Sequence, residues 1–129
     1  MATWEDVRRV ALALPEAEER TSRAGLLSWQ VRGRVFAWER PLRRSDLDAL
    51  GDAAPGGPIL GVRVPDLGAK EALVAGEPAC FTTPHFDGYP AVLVRLADAP
   101  PDVLVELITE AWLDRAPVRL ARAFLDGRG

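Results

Sequence analysis

The fold class follows from residues 27–39, which read LSWQVRGRVFAWE. Leu27, Trp29 and Val31 alternate with more polar residues, and a second alternating run begins after Gly33. Alternation with a period of two is typical of a half-buried β-strand, and a glycine between two such runs favours a tight turn. These residues therefore predict a β-hairpin that turns at Gly33 and the two arginines beside it.

The region before the hairpin predicts one helix and one loop. Thr3 is a good N-cap with Asp6 three residues later, and apolar residues recur at helical spacing until Pro15. Residues 16–23 are polar and contain no apolar period. We expect this polar stretch to be a loop.

Short strands and helices follow the hairpin. Further strands are predicted at residues 59–64, 80–83 and 91–96, and helices at residues 45–50 and 66–75, after residues 100–102, and from Pro117. Regular βαβ units are not expected, because the first two strands form a hairpin and the last two are joined by a loop. The pattern predicts an α+β two-layer sandwich, with a five-stranded, mainly antiparallel sheet and the N- and C-terminal helices packed on one face.

Composition limits the class of protein. The 129 residues, with 48% hydrophobic and 27% charged residues, fit a single domain over residues 1–129 with one core. No apolar run approaches the roughly 18 residues of a membrane span, and residues 1–6 lack the basic and apolar regions of a signal peptide. We therefore expect a cytoplasmic protein without a membrane partner. The single cysteine excludes an intramolecular disulfide and a Cys-based zinc site.

Positive charge is concentrated in one segment of an otherwise acidic chain. The formal net charge is −3, yet residues 29–44 contain five arginines against the single acid Glu39. The arginines are Arg32, Arg34, Arg40, Arg43 and Arg44. Such a segment is where a polyanion would bind. The other interpretation is that these arginines keep an exposed hairpin soluble and discourage edge pairing.

The connection at residues 84–90 combines a histidine, aromatic rings and a carboxylate between two prolines. Loops held by a rigid sheet commonly contain functional groups. Candidate ligand-binding residues are His85, Phe86, Asp87 and Tyr89, together with Trp38 and Trp112. In the competing interpretation, His85 bonds a backbone carbonyl and the aromatic rings close the end of the core.

Catalytic and metal-binding patterns are weak. Cys80 precedes the only histidine by five residues, but a single cysteine in an apolar strand is usually inert core. Glu106 and Glu110 lie one helical turn apart and could share a metal or a proton, although such pairs usually form a solvated face. No Gly-rich phosphate loop or serine elbow is present. We expect no catalytic residue, no metal and no cofactor.

Several stretches resemble the MmcQ/YjbR-like family. The clearest is FTTPHFDGYPAVLVRL at residues 81–96, followed by EAW at 110–112 and RAP at 115–117. Residues 31–38 and 67–73 support the resemblance, which extends over nearly the full chain. It implies a CyaY/frataxin-like α-β sandwich and DNA binding through a "double wing" of β-hairpins. One wing would contain Arg32 and Arg34, and residues 84–90 would lie on or near the other.

Two functions are open at this point. The leading hypothesis is a small DNA-binding protein without catalytic activity, in which the five arginines of residues 29–44 contact the phosphates of double-stranded DNA. The alternative is a module that binds a small ligand or a protein partner through His85 and Tyr89, with Trp38 and Trp112 nearby.

Overall fold

The computed structural model describes residues 2–128, which form six strands and five α-helices. The strands are β1 (Ala17–Thr21), β2 (Leu27–Val31), β3 (Arg34–Glu39), β4 (Ile59–Arg63), β5 (Cys80–Phe81) and β6 (Ala91–Arg95). The helices are α1 (Trp4–Leu12), α2 (Arg44–Leu50), α3 (Leu67–Gly76), α4 (Pro101–Arg115) and α5 (Val118–Arg128). Within residues 2–128, none of the helices has the length and apolar character that a bilayer span requires.

The predicted hairpin is confirmed. β2 and β3 pair antiparallel, and Val31 opposes Arg34 across a two-residue turn. Arg32 and Gly33 have φ values of 50° and 80°, the left-handed conformation that a tight hairpin turn of this length requires at both positions. A bulge between Trp29 and Gln30 interrupts the ladder and increases the local twist.

The predicted number of strands is wrong, because the sheet has six strands in the order β1-β2-β3-β4-β6-β5. The missed strand is β1, in the stretch predicted to be a loop. Its sequence, AEERT, has almost no apolar period, because β1 is an edge strand that pairs only with β2. Glu19 ties it to the core by accepting hydrogen bonds from the Trp29 indole and from Arg8. The extra strand means that the CyaY-like description does not fit this sheet in detail.

Other element boundaries follow local chemistry. Thr3 and Asp6 form the predicted reciprocal capping box at the start of α1. β5 ends at Phe81, two residues earlier than predicted, since Pro84 begins a short 3₁₀ turn over Pro84–Phe86. The sequence therefore locates this connection correctly but overestimates the strand before it.

The two faces of the sheet are covered differently. On one face, α1 and α4 pack on the strands and enclose the main core, which contains Trp29, Phe36 and Trp112. Leu120 and Phe124 of α5 join this core, so the terminal helices share one face as predicted. On the other face, the buried hydrophobic residues form a smaller cluster of Ile59, Phe81, Phe86 and Leu93. This second face contains the candidate site.

Candidate functional site

A groove opens on the second face, between the end of β3 and the connection after β5. Its walls are residues 38–43 and 85–89, with Leu26 at one end, and it encloses a cavity of about 860 Å³. We call this cavity the aromatic groove. It is lined by Leu26, Trp38, Glu39, Arg40, Pro41, Leu42, Arg43, His85, Phe86, Asp87, Gly88 and Tyr89.

Phe86 forms the floor of the aromatic groove. Its ring is buried, and the ring centroid lies 5.0 Å from that of His85, which it meets in an edge contact. The centroid lies 6.1 Å from that of Tyr89 and 6.4 Å from that of Trp38. These separations are in the range at which aromatic rings attract each other. His85 and Tyr89 are both exposed. The connection therefore presents these two rings to solvent around a fixed apolar centre.

The Trp38 ring packs directly over Gly61, its cross-strand neighbour. The two residues pair between β3 and β4, and a Cβ atom at position 61 would lie 2.5 Å from the Trp38 ring. No side chain other than hydrogen fits beneath an indole at that distance. The glycine thus sets the depth of this side of the groove.

Lys70 holds the connection from below, a role that the sequence does not reveal. Its buried Nζ donates to the carbonyl oxygen of Phe86 at 2.5 Å and to that of Tyr89 at 2.9 Å. Burial lowers the pKa of Lys70, and the negative charge of Asp87 opposes part of that shift. The sequence places Lys70 on the apolar side of its helix, which is the one indication of a buried amino group. The aliphatic part of a lysine side chain also packs on apolar surfaces, so this position alone does not predict the two hydrogen bonds.

Arg63 fixes Tyr89 and was also missed. Its Nη1 donates to the Tyr89 hydroxyl at 2.8 Å, and its guanidinium lies 5.0 Å from the centroid of that ring. A longer ion pair of 3.7 Å joins its Nε to Asp114 on α4. The exposed Tyr89 ring is therefore held in place by contacts at its edge and on its face.

Arg40 is buried in the wall of the aromatic groove. The residue is 6% exposed; its guanidinium forms a 3.0 Å ion pair with Asp46, donates to the Pro41 carbonyl and lies 5.2 Å from the Phe86 ring centroid. Burial raises the pKa of Asp46, but the Arg43 N–H and the Arg40 charge outweigh it, so the pKa lies below its ordinary value. Arg40 thus serves the fold and is not exposed to a polyanion.

The five predicted arginines do not form one patch. Arg32 and Arg34 lie at the hairpin tip, whereas Arg40, Arg43 and Arg44 follow the opposite end of β3, roughly 17 Å away for a six-residue strand. Arg32 makes two hydrogen bonds to Glu16, at 2.5 and 3.1 Å, which lower the pKa of Glu16 and raise that of Arg32.

Only two of these arginines keep their side chains free of protein partners. Arg44 forms an exposed 3.2 Å ion pair with Asp48. Within residues 2–128, the exposed side chains of Arg34 and Arg43 make no hydrogen bond or ion pair. Arg34 is at the hairpin tip and Arg43 is at the rim of the aromatic groove.

Two other candidates lie elsewhere. Trp112 is fully buried in the main core, where its indole donates to the Pro15 carbonyl at 3.0 Å and its ring packs on Phe124, so it does not line the aromatic groove. Cys80 is buried, and desolvation raises the pKa of its thiol to about 11, which opposes thiolate formation.

The aromatic groove combines ring surfaces with a few polar groups at its rim. His85, Asp87 and Arg43 provide an imidazole, a carboxylate and a guanidinium beside the rings. Among the described residues, no cluster of three or more His, Cys, Asp or Glu side chains could hold a metal ion. The aromatic groove therefore brings ring surfaces, an imidazole, a carboxylate and a guanidinium to one cavity.

Comparisons with known proteins identify the family. The chain is 54% identical to uncharacterized proteins of Mycobacterium bovis and Mycobacterium tuberculosis, and the matches cover each chain completely. It is also similar in fold to the crystal structure of Deinococcus radiodurans protein DR2400, which has a DUF419 domain. The TM-score is 0.63 at 22% identity, over 88% of this chain and 78% of that one. The YjbR family model matches residues 12–113. The protein therefore belongs to the MmcQ/YjbR family.

Proposed function

We propose that this protein is a binding protein without catalytic activity, and that the aromatic groove takes a small, planar, aromatic ligand. The observation that carries the proposal is the arrangement of Trp38, His85 and Tyr89 around the buried Phe86 ring, at a cavity open to solvent. Ligand sites are typically concave and mostly apolar, with a few polar groups that fix orientation.

The position of His85 favours ligand binding over a role in the core. In the competing interpretation the imidazole would be buried and bonded to a backbone carbonyl. Instead His85 is exposed beside the cavity and makes an edge contact with Phe86. Its ring and that of Tyr89 are available to stack on a flat ligand, while Arg43 is available to a carboxylate or phosphate on it.

The same geometry supports a binding role without catalysis. A nucleophile needs a base that lowers its effective pKa, whereas burial raises the pKa of the Cys80 thiol to about 11. Cys80 faces the main core, and His85 faces the groove. The cysteine and the histidine are thus in different environments.

Two-dimensional NMR on labelled protein tests the proposal. Naphthoate is the anionic planar probe, and naphthylmethanol is its neutral counterpart. We expect naphthoate to shift the Trp38 indole and Gly88 amide resonances in a saturable way, and naphthylmethanol to bind more weakly. The indoles of Trp29 and Trp112, whose N–H groups are bonded inside the protein, serve as internal controls.

The matched variants are Arg43→Ala and Arg34→Ala, because both side chains are exposed and unpaired but only Arg43 lines the groove. Arg43→Ala should weaken naphthoate binding by about tenfold, the effect of one charge-assisted hydrogen bond. Arg34→Ala should leave it unchanged. Resonances that stay fixed up to roughly 10 mM probe, in the wild type, would overturn the proposal.

Double-stranded DNA binding is a second candidate, supported by the exposed and unpaired Arg34 at the protruding hairpin turn. About one phosphate contact, through Arg34, would give weak binding that falls roughly in inverse proportion to the salt concentration. Anisotropy with a short labelled duplex in dilute buffer tests this function, which requires that Arg34→Ala weakens binding more than Arg43→Ala. Equal binding by both variants would exclude the tip as the contact.

A further inference from the structure

A second cavity lies on the helical side of the sheet, between α3 and α4. It encloses about 370 Å³, and its floor contains Ala69, Leu73, Val103 and Leu107. Glutamates line its rim: Glu77, Glu106 and Glu110. We call this cavity the helical groove. It shares no lining residue with the aromatic groove.

The rim of the helical groove has negative charge that the protein itself does not balance. Glu106 and Glu110 lie one turn apart on α4, are exposed, and make no hydrogen bond or ion pair within residues 2–128. Glu77 accepts one backbone N–H, from Ala79. Arg63 also lines the cavity, but its guanidinium is already engaged with Tyr89 and Asp114. An apolar floor with an acidic rim fits a basic, amphipathic segment.

Helix α5 of this same chain has the complementary surface. Val118 and Leu125 are 69% and 48% exposed, and residues seven apart lie on the same side of a helix. Arg122 lies between them and Arg119 beside them, and neither arginine has a partner among the described residues. The opposite side of α5 packs on the main core through Leu120 and Phe124, so the exposed side is presented outward.

We propose that the helical groove of one copy receives the exposed side of α5 from a second copy. The apolar pair Val118 and Leu125 would cover the groove floor, while Arg119 and Arg122 face Glu106 and Glu110. A single contact of this kind joins two different surfaces, and repeating it would build an open polymer of copies. In a homodimer with a two-fold axis, each copy places its α5 in the groove of the other. The two equivalent contacts then close the assembly.

Charge reversal on each surface provides a specific test in the full chain. The groove variant is Glu106→Arg with Glu110→Arg, and the helix variant is Arg119→Glu with Arg122→Glu. Each variant alone would place like charges at both contacts, so we expect dimerisation to weaken by about tenfold or more. A mixture of the two variants would restore opposite charges at both contacts and should form a heterodimer.

Sedimentation velocity at protein concentrations up to about 1 mM measures these states, with circular dichroism to confirm that each variant is folded. A third variant, Leu125→Ser, should weaken the dimer, whereas Leu12→Ser, at a similarly exposed position on α1, should not. A wild type that stays monomeric overturns the proposal, as does a dimer insensitive to both reversals. A mixture of the variants that remains monomeric overturns the pairing of these two surfaces. None of these results bears on ligand binding in the aromatic groove.

Discussion

The two ends of β3 use arginine in different ways. At the hairpin tip, Arg32 pairs with Glu16, and both side chains remain about half exposed, at 57% and 46%. At the groove end, the Arg40 and Asp46 side chains pair with only 7% and 1% of their surfaces exposed. Exposed ion pairs contribute little to stability, but a buried charge that loses its partner is costly. The contribution of each arginine to stability therefore depends on its location and does not follow from the number of arginines in the segment.

The two ends of β3 also differ in what they present to a ligand. At the groove end a buried arginine supports a wall of aromatic side chains beside a cavity, and a second arginine is left free at the rim. At the tip one arginine is held by a glutamate, and the free one makes no cation–π contact within residues 2–128. Only the groove end combines charge, rings and a concave surface, which is why the ligand proposal is placed there.

The largest effect is expected from Asp46→Asn, which leaves the Arg40 guanidinium buried without a counter-charge. We expect the free energy of unfolding to fall by about 3–5 kcal/mol, measured by urea denaturation. The control is Asp48→Asn, which breaks the exposed pair with Arg44 and should cost no more than about 0.5 kcal/mol. Similar losses in the two variants would contradict the distinction between buried and exposed pairs.

Lys70→Met is expected to have the next largest effect. It leaves the Phe86 and Tyr89 carbonyls without their donor and should reduce the free energy of unfolding by about 1–3 kcal/mol. Arg95→Met is the matched control, because Arg95 also donates to a backbone carbonyl, that of Pro78, but at an exposed site. Naphthoate binding should weaken in the Lys70 variant only, since this lysine positions the groove connection.

The pH dependence of stability tests whether Lys70 is desolvated in the folded protein. Burial lowers its pKa in the folded state, so between that pKa and the unfolded value the folded protein binds fewer protons than the unfolded chain. Across this alkaline window, the stability of the wild type relative to Lys70→Met should rise with pH. A constant difference between the two proteins would show that Lys70 is not desolvated.

Periodic signals made much of this fold predictable from the sequence. The β2–β3 hairpin, the α1 cap and the residues around the connection all follow from local patterns. β1 lacks such a pattern, because its charged residues are stabilised by contacts with α1 and Trp29, which lie elsewhere in the sequence. A strand that depends on partners distant in the chain has no local signature.

The same limit applies to the candidate site. His85, Phe86, Asp87, Tyr89 and Trp38 were all singled out from their residue types, and they line one groove. The burial of Arg40 depends on Asp46 and Phe86, and the role of Lys70 depends on two carbonyls that lie 16 and 19 residues further along the chain. Such long-range contacts decide whether a charged residue is free or committed to the structure, and residue type does not report them.

Gly61→Ala tests the packing of Trp38 in the aromatic groove and changes no charged residue. The new methyl group would lie 2.5 Å from the Trp38 ring, so the ring must move, at a cost of about 1–3 kcal/mol in stability. The Trp38 indole resonance should shift and naphthoate binding should weaken. Gly56→Ala, where a Cβ meets nothing within 4 Å, should leave both unchanged. Equal behaviour of the two variants would mean that Trp38 is not fixed by the sheet.

The smallest effect on stability is expected from Glu16→Gln at the hairpin tip. Arg32 lowers the pKa of Glu16 in the folded state, so the pair stabilises the protein above the unfolded pKa of Glu16, and this contribution disappears as the pH falls through the folded pKa. Because both side chains are exposed, the variant should unfold close to the wild type at neutral pH and lose only this weak acid dependence. A loss comparable to that of Asp46→Asn would remove the contrast between the two ends of β3.

Glu16→Gln also separates the two candidate functions, because it removes the negative charge beside Arg32 without changing the aromatic groove. If the tip binds duplex DNA, a second free guanidinium should strengthen binding in dilute buffer and make it more sensitive to salt, by roughly one further power of the salt concentration. Naphthoate binding should be the same as in the wild type, since neither Glu16 nor Arg32 lines the groove. Unchanged DNA binding in this variant would leave the hairpin tip a structural turn. The ion pair of Arg32 with Glu16 would then only join this turn to the residue before β1.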